Sequence, residues 1–136
     1  MTERDYSATP LPRKLGIKEG SRVALVGAPE GFPDVLVPLP ATAQLVPPSG
    51  PLDVIVFFAV RRAELEASFS GLARELAPAG GLWVAYPKKA SGVPTDLTFA
   101  EVQKVGLGTG LVDNKSCAID EVWSAVRFVI RLRDRP

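Results

Sequence analysis

The sequence predicts an α/β protein in which helices cover a mostly parallel sheet and an antiparallel hairpin ends the chain. The first observation is residues 53–89, where the apolar run DVIVFF precedes an amphipathic helix, a Pro–Gly interruption and a second apolar strand. Strand, helix and strand at this spacing form a right-handed βαβ crossover, the unit of a parallel sheet. The second observation is a pair of strand-like runs, 111–119 and 122–132, with only Asp120 and Glu121 between them. Two residues are too few for a crossover, so these strands form a hairpin.

Short elements and many prolines characterise the N-terminal third. Residues 22–26, RVALV, form a short strand rich in β-branched residues, which Gly27 ends. Prolines at 47, 48 and 51 mark a turn. The remaining predicted elements are a flexible end over 1–11, a helical turn over 12–17, a second turn over 34–36 and a short strand over 43–46.

The crossover is the most regular part of the sequence. The strand over 53–58 is almost entirely apolar, as expected where both faces are covered. The helix over 62–76 carries one apolar face, formed at steps of four, three and four by Leu65, Phe69, Leu72 and Leu76. The sequence APAGG at 77–81 ends this helix, because proline cannot continue it and glycine accepts positive φ. The third strand follows over 82–86.

A short helix and the hairpin complete the predicted fold. Thr98 and Glu101 have the spacing of a capping box, and the helix that follows directs Phe99, Val102 and Val105 inward. Side chains of the last strand alternate between two faces. One face carries Val122, Ser124, Val126, Phe128, Ile130 and Leu132, and the other carries Trp123, Ala125, Arg127, Val129 and Arg131.

The composition is that of a single domain over residues 1–136. A net charge of +1 gives no overall field that would attract nucleic acid or a membrane. No apolar run approaches the ~18 residues of a membrane-spanning helix, and residues 1–10 lack the apolar core of a signal peptide. The single cysteine, Cys117, cannot form an internal disulfide, so we expect a cytoplasmic protein with Cys117 as a small buried side chain.

The chain contains no histidine. This absence excludes Ser–His and Cys–His nucleophile pairs, imidazole acid–base catalysis and histidine-containing zinc sites. Cys117 has no second cysteine with which to hold a metal ion. We therefore predict no catalytic residue and no metal.

Two resemblances add to these expectations. The run AREL-APAG-GLWVAYP, and the order of elements from about 53 to 132, resemble the C-terminal half of a Rossmann-like methyltransferase fold, which implies a three-layer sandwich. Four further runs are similar to a family of small, uncharacterised bacterial proteins: ATPLPRKLGIKEG, VALVGAPEGF, LWVAYPKK with TDLT behind it, and LVDNKSCAIDEVWSAVRFV. That likeness implies a fold and a bacterial source, and transfers no catalytic residue.

The cofactor-binding half of such a methyltransferase has no full counterpart here. The loop after the first strand, GAPEG at 27–31, holds two glycines where a richer pattern is usual. Prolines interrupt residues 33–51, and neither Asp nor Glu ends the strand at 43–46 to hold a ribose. We therefore predict a trimmed N-terminal half and no cofactor.

An anion site is the strongest candidate ligand site. In an open α/β sheet, ligands bind beyond the carboxyl ends of the strands, where basic side chains and a helix N-terminus could bind phosphate or carboxylate. The alternative is that these basic side chains are simply solvated. The candidate residues are Gly27, Glu30, Gly31, Arg61, Arg62, Tyr86, Lys88, Lys89 and Thr98.

The C-terminal hairpin offers a possible interaction surface. Asp113 and Lys115 are two apart on one strand and are expected on one face, with Trp123 across from them. Arg127 and Arg131, together with Arg133 and Arg135, could form a basic ribbon, although alternating arginines also protect an edge strand from pairing. Nearby acidic residues argue against nucleic acid, while an exposed edge strand would permit a homodimer.

Two hypotheses follow for function. The leading one is a non-catalytic binding or interaction module of the bacterial cytoplasm, with a small anionic ligand or a protein as its partner and no membrane involvement. The alternative is an enzyme, either a divergent adenosylmethionine-dependent methyltransferase or one that handles phosphates or nucleotides with the lysines after Tyr86.

Overall fold

The computed structural model describes residues 9–136, and over that range six strands form one sheet in the order β2-β1-β3-β4-β6-β5. Strands β1 to β4 run parallel, whereas β6 is antiparallel to both β4 and β5. The predicted mostly parallel sheet with an antiparallel C-terminal hairpin is therefore confirmed. The strands are β1 Arg22–Val26, β2 Gln44–Leu45, β3 Leu52–Phe58, β4 Leu76–Pro87, β5 Val112–Ala118 and β6 Trp123–Val129.

Four α-helices lie in the described range. They are α1 Leu11–Lys14, α2 Phe32–Val35, α3 Arg62–Ala73 and α4 Phe99–Gly108. Single 3₁₀ turns cover Lys89–Ser91 and Leu132–Asp134. The flexible end predicted over 1–11 falls mainly outside the described residues, and Leu11 itself begins α1.

Both faces of the sheet are covered, so the molecule has three layers. On the first face, Leu65 and Phe69 of α3 and Val102 of α4 pack against Ile55 and Phe57 of β3. On the second face, Leu15, Phe32 and Leu36 cover a cluster that includes Val56 and Trp83. The completely apolar stretch of β3 follows from this burial on both sides.

The start of α3 is stabilised by a carboxylate. Oε1 of Glu64 accepts hydrogen bonds from the backbone N–H groups of Val60 (3.1 Å) and Arg61 (3.2 Å). These bonds hold the pKa of Glu64 below its usual value, because they favour the ionised form. Negative charge in the first turn also suits the positive end of the helix dipole.

The helix ends earlier than predicted, and the sequence APAG belongs to a strand. Leu76 pairs with Leu52 and Gly81 with Val54, so residues 77–80 bulge opposite Asp53. The bulge passes close to the backbone of β3 at Gly80, where a Cβ would lie 2.6 Å from the carbonyl oxygen of Leu52. The prediction that proline and glycine at 77–81 end α3 is therefore wrong, because the helix ends at Ala73 and the chain enters β4 at Leu76.

One inward position was predicted wrongly, and the alternation of faces along the last strand ends earlier than predicted. Phe99 is 44% exposed, whereas Val102 is buried and Val105 is partly buried. Leu132 is 79% exposed because β6 ends at Val129 and a 3₁₀ turn breaks the alternation of faces. The remaining alternation along β6 is confirmed, with Val126 and Phe128 in the first core and Ala125 in the second.

Replacing Gly106 with alanine tests the contact between α4 and β6. A Cβ at this position would lie 2.5 Å from Cζ of Phe128, whose buried ring packs edge-on against Phe69 at 5.3 Å between centroids. We expect Gly106→Ala to lower the free energy of unfolding by about 1–3 kcal/mol in urea denaturation. This loss outweighs the ~1 kcal/mol by which alanine favours a helix over glycine.

Gly71→Ala in α3 is the matched control. Gly71 is exposed, and the nearest atom to an added Cβ is Nη2 of Arg74, at 3.9 Å. Alanine should therefore raise the free energy of unfolding by about 0.5–1 kcal/mol. Equal gains in both variants would show that Phe128 does not lie against Gly106.

Candidate functional site

The order of the strands reverses between β1 and β3, the place where open α/β sheets usually bind ligands. Here the two strand ends are in close contact. Gly27 has φ +70°, and a Cβ at this position would lie 2.9 Å from the carbonyl oxygen of Phe58. The glycine therefore serves the packing of β1 against β3.

Aromatic rings fill the space beside this junction on the second face. The ring of Phe58 lies edge-on against Phe32 (centroids 4.8 Å apart) and against Trp123 (5.0 Å). Such pairs contribute about 0.5–1.5 kcal/mol each beyond their buried area. The neighbouring strand β2 is only Gln44–Leu45, followed by Val46 and Pro47, and carries no carboxylate. These residues do not fit an adenosyl cofactor, whose ribose needs an acidic partner.

A cavity of about 380 Å³ lies instead at the carboxyl end of β4, on the side of α3 and α4. We call it the Tyr86 pocket. Its volume is within the range of small-molecule sites. The pocket is lined by Tyr86, Pro87, Lys88, Lys89, Thr95, Leu97, Thr98, Phe99 and Ser124.

Three segments bring these side chains together. Tyr86 of β4 pairs directly with Ser124 of β6, so both side chains point to the same face. Thr98 is the N-cap of α4, and its Oγ1 accepts a hydrogen bond from the N–H of Glu101 at 3.2 Å. The segment before α4 is held by Thr95, whose hydroxyl donates to the carbonyl of Val60 and accepts from the N–H of Leu97.

The pocket has one apolar side and one polar side. Pro87, Leu97 and Phe99 supply apolar surface. Hydroxyl groups, two lysines and the positive end of α4 supply donors for an anionic group. Burial raises the pKa of Tyr86 above its ordinary value, so its hydroxyl is a neutral donor near pH 7. This arrangement suits a small molecule with an anionic group and an apolar part.

The structure brings together four of the nine residues predicted for an anion site: Tyr86, Lys88, Lys89 and Thr98. Gly27, Glu30 and Gly31 lie at the end of β1 and do not line the pocket. Arg61 is exposed at the N-cap of α3. Binding of an anion by the four pocket residues stays a prediction.

Arg62 does not line the pocket and forms ion pairs with two glutamates. Its guanidinium pairs with Glu66, one helical turn further along α3, at 2.9 Å, and with Glu101 of α4. Its backbone N–H donates to Asp96 at 2.8 Å. Sequence reasoning missed this because Glu101 and Asp96 approach only when α4 packs beside α3. Sequence reasoning also missed Ser124 as a pocket residue. Strand alternation had assigned Ser124 to the correct face, but it gave no indication of a pocket there.

Asp113 and Lys115 lie on opposite faces, contrary to the prediction. Asp113 pairs with Phe128 and Lys115 with Arg127, because the register shifts between them. This bulge at Asn114 moves Lys115 to the second face, whereas Asp113 accepts a hydrogen bond from Gln103 of α4 at 3.1 Å. The two groups therefore cannot act as one acid–base pair.

The basic ribbon is also interrupted. Since β6 ends at Val129, Arg131 turns back and its Nε donates to the carbonyl of Gly110 at 3.3 Å. Arg133 falls in the 3₁₀ turn, and Nε of Arg135 donates to the carbonyl of Ile130 at 3.0 Å. Trp123 does not lie across from Lys115 but packs against Phe58.

Cys117 is half-buried beside the second core, and burial raises the pKa of its thiol. Within residues 9–136, no three His, Cys, Asp or Glu side chains form a group that could hold a metal ion. No helix in the described part of the chain is long and apolar enough to cross a membrane.

Comparisons with known proteins place the fold among methyltransferases. No family model matches the chain and no curated protein matches its sequence, so the likeness to small bacterial proteins stays a prediction. Among solved structures, an adenosylmethionine-dependent methyltransferase from Aquifex aeolicus has a TM-score of 0.63 at 15% identity, with 85% of each chain covered. A TehB-like methyltransferase from Corynebacterium glutamicum has a TM-score of 0.58 at 12% identity, covering 95% of this chain and 94% of that one.

A third similar structure is an O-methyltransferase from neocarzinostatin biosynthesis, solved with adenosylmethionine and a naphthoic acid. Its TM-score is 0.61 at 17% identity, and the match covers 82% of this chain but only 49% of the enzyme. These identities establish a shared fold.

Titration of Tyr86 tests the geometry of the pocket. We expect its phenol to ionise above the ordinary value of 10.0, because burial disfavours the phenolate. The folded protein then holds this proton more tightly than the unfolded chain, so stability is lost as the pH rises through the folded pKa. Absorbance titration of the wild type minus Tyr86→Phe isolates this step. A difference curve with a midpoint at or below 10 would contradict the burial.

Proposed function

We propose that this chain is a ligand-binding protein on a methyltransferase scaffold, and that its ligand is a small anionic molecule with an apolar part. The observation that supports this most is the Tyr86 pocket. It lies at the carboxyl edge of the sheet, has a volume of about 380 Å³ and combines apolar surface with Lys88, Lys89 and Thr98. Sites of this composition use a few polar groups for orientation and apolar area for affinity.

The charge in the pocket selects the ligand class. Lys88 and Lys89 contribute positive charge, and none of the described residues that line the pocket is a carboxylate. Hydroxyls of Tyr86, Thr98 and Ser124 can donate to phosphate or carboxylate oxygens. A cationic ligand would meet repulsion, whereas an anion gains charge-assisted hydrogen bonds.

Methyl transfer from adenosylmethionine is the second candidate. The comparisons favour this enzymatic alternative over a non-catalytic module, because every structure described above is a methyltransferase. The local geometry argues the other way. β2 has no acidic residue, Phe32 and Trp123 occupy the sides of Phe58, and the sulfonium of adenosylmethionine is a cation. The two candidates therefore need direct tests.

Phenyl phosphate is a suitable probe for the Tyr86 pocket, since it joins a dianion to an apolar ring. We expect saturable perturbation of the backbone N–H of Thr98 in NMR titrations, because Thr98 lines the pocket. Lys89→Gln should weaken binding several-fold, as hydrogen bonds to charged groups contribute about 1.5–3 kcal/mol when buried and less at an exposed lysine.

Lys104→Gln is the matched control for that variant. Lys104 is exposed on α4 and does not line the pocket, so its replacement removes the same charge without touching the site. Phenyl phosphate affinity should be unchanged. Equal weakening by both variants, or no perturbation of the Thr98 backbone N–H at millimolar probe, would exclude the proposed ligand class.

Thermal denaturation with adenosylmethionine and adenosylhomocysteine decides the second candidate. From the missing carboxylate we expect no shift of the melting temperature, whereas a ligand at 100 times its Kd would stabilise by ~2.7 kcal/mol, equivalent to several degrees. A shift with either compound would establish cofactor binding and replace our first proposal with an enzyme. The Aquifex aeolicus methyltransferase provides the positive control.

A further inference from the structure

A second cavity lies on the opposite face of the sheet from α3 and α4. Its volume is about 380 Å³, and it is lined by Lys14, Leu15, Gly16, Lys18, Asp53, Ala79, Trp83, Lys115 and Arg127. We call it the basic cleft. It shares no residue with the Tyr86 pocket, and the inference drawn from it is independent of the proposed function.

Three neighbouring strands build one side of the cleft. Trp83 of β4 pairs with Arg127 of β6, and Arg127 pairs with Lys115 of β5. Directly paired residues point to the same face, so these three side chains form a row across the sheet. The bulge at Asn114 is what places Lys115 in this row. Without that bulge, Lys115 would share the face of Asp113.

The middle of the row is held in position. The guanidinium of Arg127 lies across Gly81, where a Cβ would be 2.7 Å from its Cζ. Below it, Trp83 is only 1% exposed, and its Nε1–H donates to the carbonyl oxygen of Leu15 at 2.9 Å. That hydrogen bond ties the segment after α1, with Gly16 and Lys18, to the opposite wall of the cleft.

The cleft carries more positive than negative charge. Four basic side chains and one carboxylate, Asp53, line it. One oxygen of Asp53 already accepts from the backbone N–H of Arg22 at 2.8 Å, and the ammonium of Lys14 donates to the carbonyl of Ala118 at 2.8 Å. Arg127 contacts the neutral amide of Asn114 at 3.4 Å.

Arg127 is partly withdrawn from water without a neutralising partner in the described part of the chain. Burial lowers its pKa, and the positive charge of Arg135 lowers it further. A partly buried charge that lacks an opposite charge is costly for the folded protein. An anion bound between Arg127 and Lys115 would remove that cost, which gives such a ligand a direct source of affinity.

We propose that the basic cleft is a binding site for a phosphorylated small molecule. The planar fork of Arg127 can donate two parallel hydrogen bonds to a phosphate group, and Lys115 and Lys18 supply further charge. The cavity is of small-molecule size. A net charge of only +1 provides no extended field of the kind that nucleic-acid backbones require.

Inorganic pyrophosphate is the probe, and the Trp83 indole N–H and the Thr98 backbone N–H report separately on the two sites. We expect a saturable shift of the Trp83 indole N–H with pyrophosphate, and little change at Thr98. Lys115→Gln should reduce affinity about tenfold, as expected for loss of a charge-assisted contact. Lys115 is exposed, so this variant should fold as the wild type does. Arg127→Lys, which keeps the charge but removes the fork, should also weaken binding.

Four outcomes would overturn the proposal. No Trp83 shift at millimolar pyrophosphate would exclude the site. Equal weakening by Lys104→Gln would show that affinity depends only on overall charge. A shift confined to Thr98 would place phosphate in the Tyr86 pocket instead. Tighter binding of a single-stranded oligonucleotide than of pyrophosphate, with steep salt dependence, would assign the cleft to nucleic acid.

Discussion

Strand β4 pairs in parallel with β3 and antiparallel with β6, and both candidate sites are built against it. Within β4, the side chain of Tyr86 points toward α3 and α4, whereas the side chain of Trp83 points to the opposite face. The antiparallel pairing brings Ser124 beside Tyr86 and Arg127 beside Trp83. A shift of β4 by one residue in register would move Tyr86 and Trp83 to opposite faces, so each cavity would lose a lining side chain.

Short elements characterise the part of the chain between β1 and β3. Between β1 and β2 it has only the single turn α2, and Phe32 from that turn joins Phe58 in the second core. A short chain has to bury the sheet with few residues, so aromatic rings cover the end of β3. A cavity of about 380 Å³ lies instead at the end of β4, where α4 begins.

Positive charge is placed locally on a protein that is almost neutral overall. Lys88 and Lys89 lie at the Tyr86 pocket, and Lys115 and Arg127 lie at the basic cleft on the other face. Arg62 shows the contrasting arrangement, in which two glutamates neutralise a guanidinium between α3 and α4. The structural role of Arg62 therefore depends on carboxylate partners, whereas basic side chains outnumber carboxylates among the described residues that line the two cavities.

Local patterns in the sequence were enough to predict the layers, the crossover, the hairpin and the faces of β6, because periods of 2 and 3.6 residues depend only on backbone geometry. Four members of the Tyr86 pocket were also predicted, since parallel strands end at the same edge of a sheet. Only the tertiary structure decided where Lys115 points, because a single unpaired residue at Asn114 reverses the faces. It also decided that Glu101 neutralises Arg62, whereas Arg127 has no carboxylate partner among residues 9–136, since such partners come from elements distant in sequence.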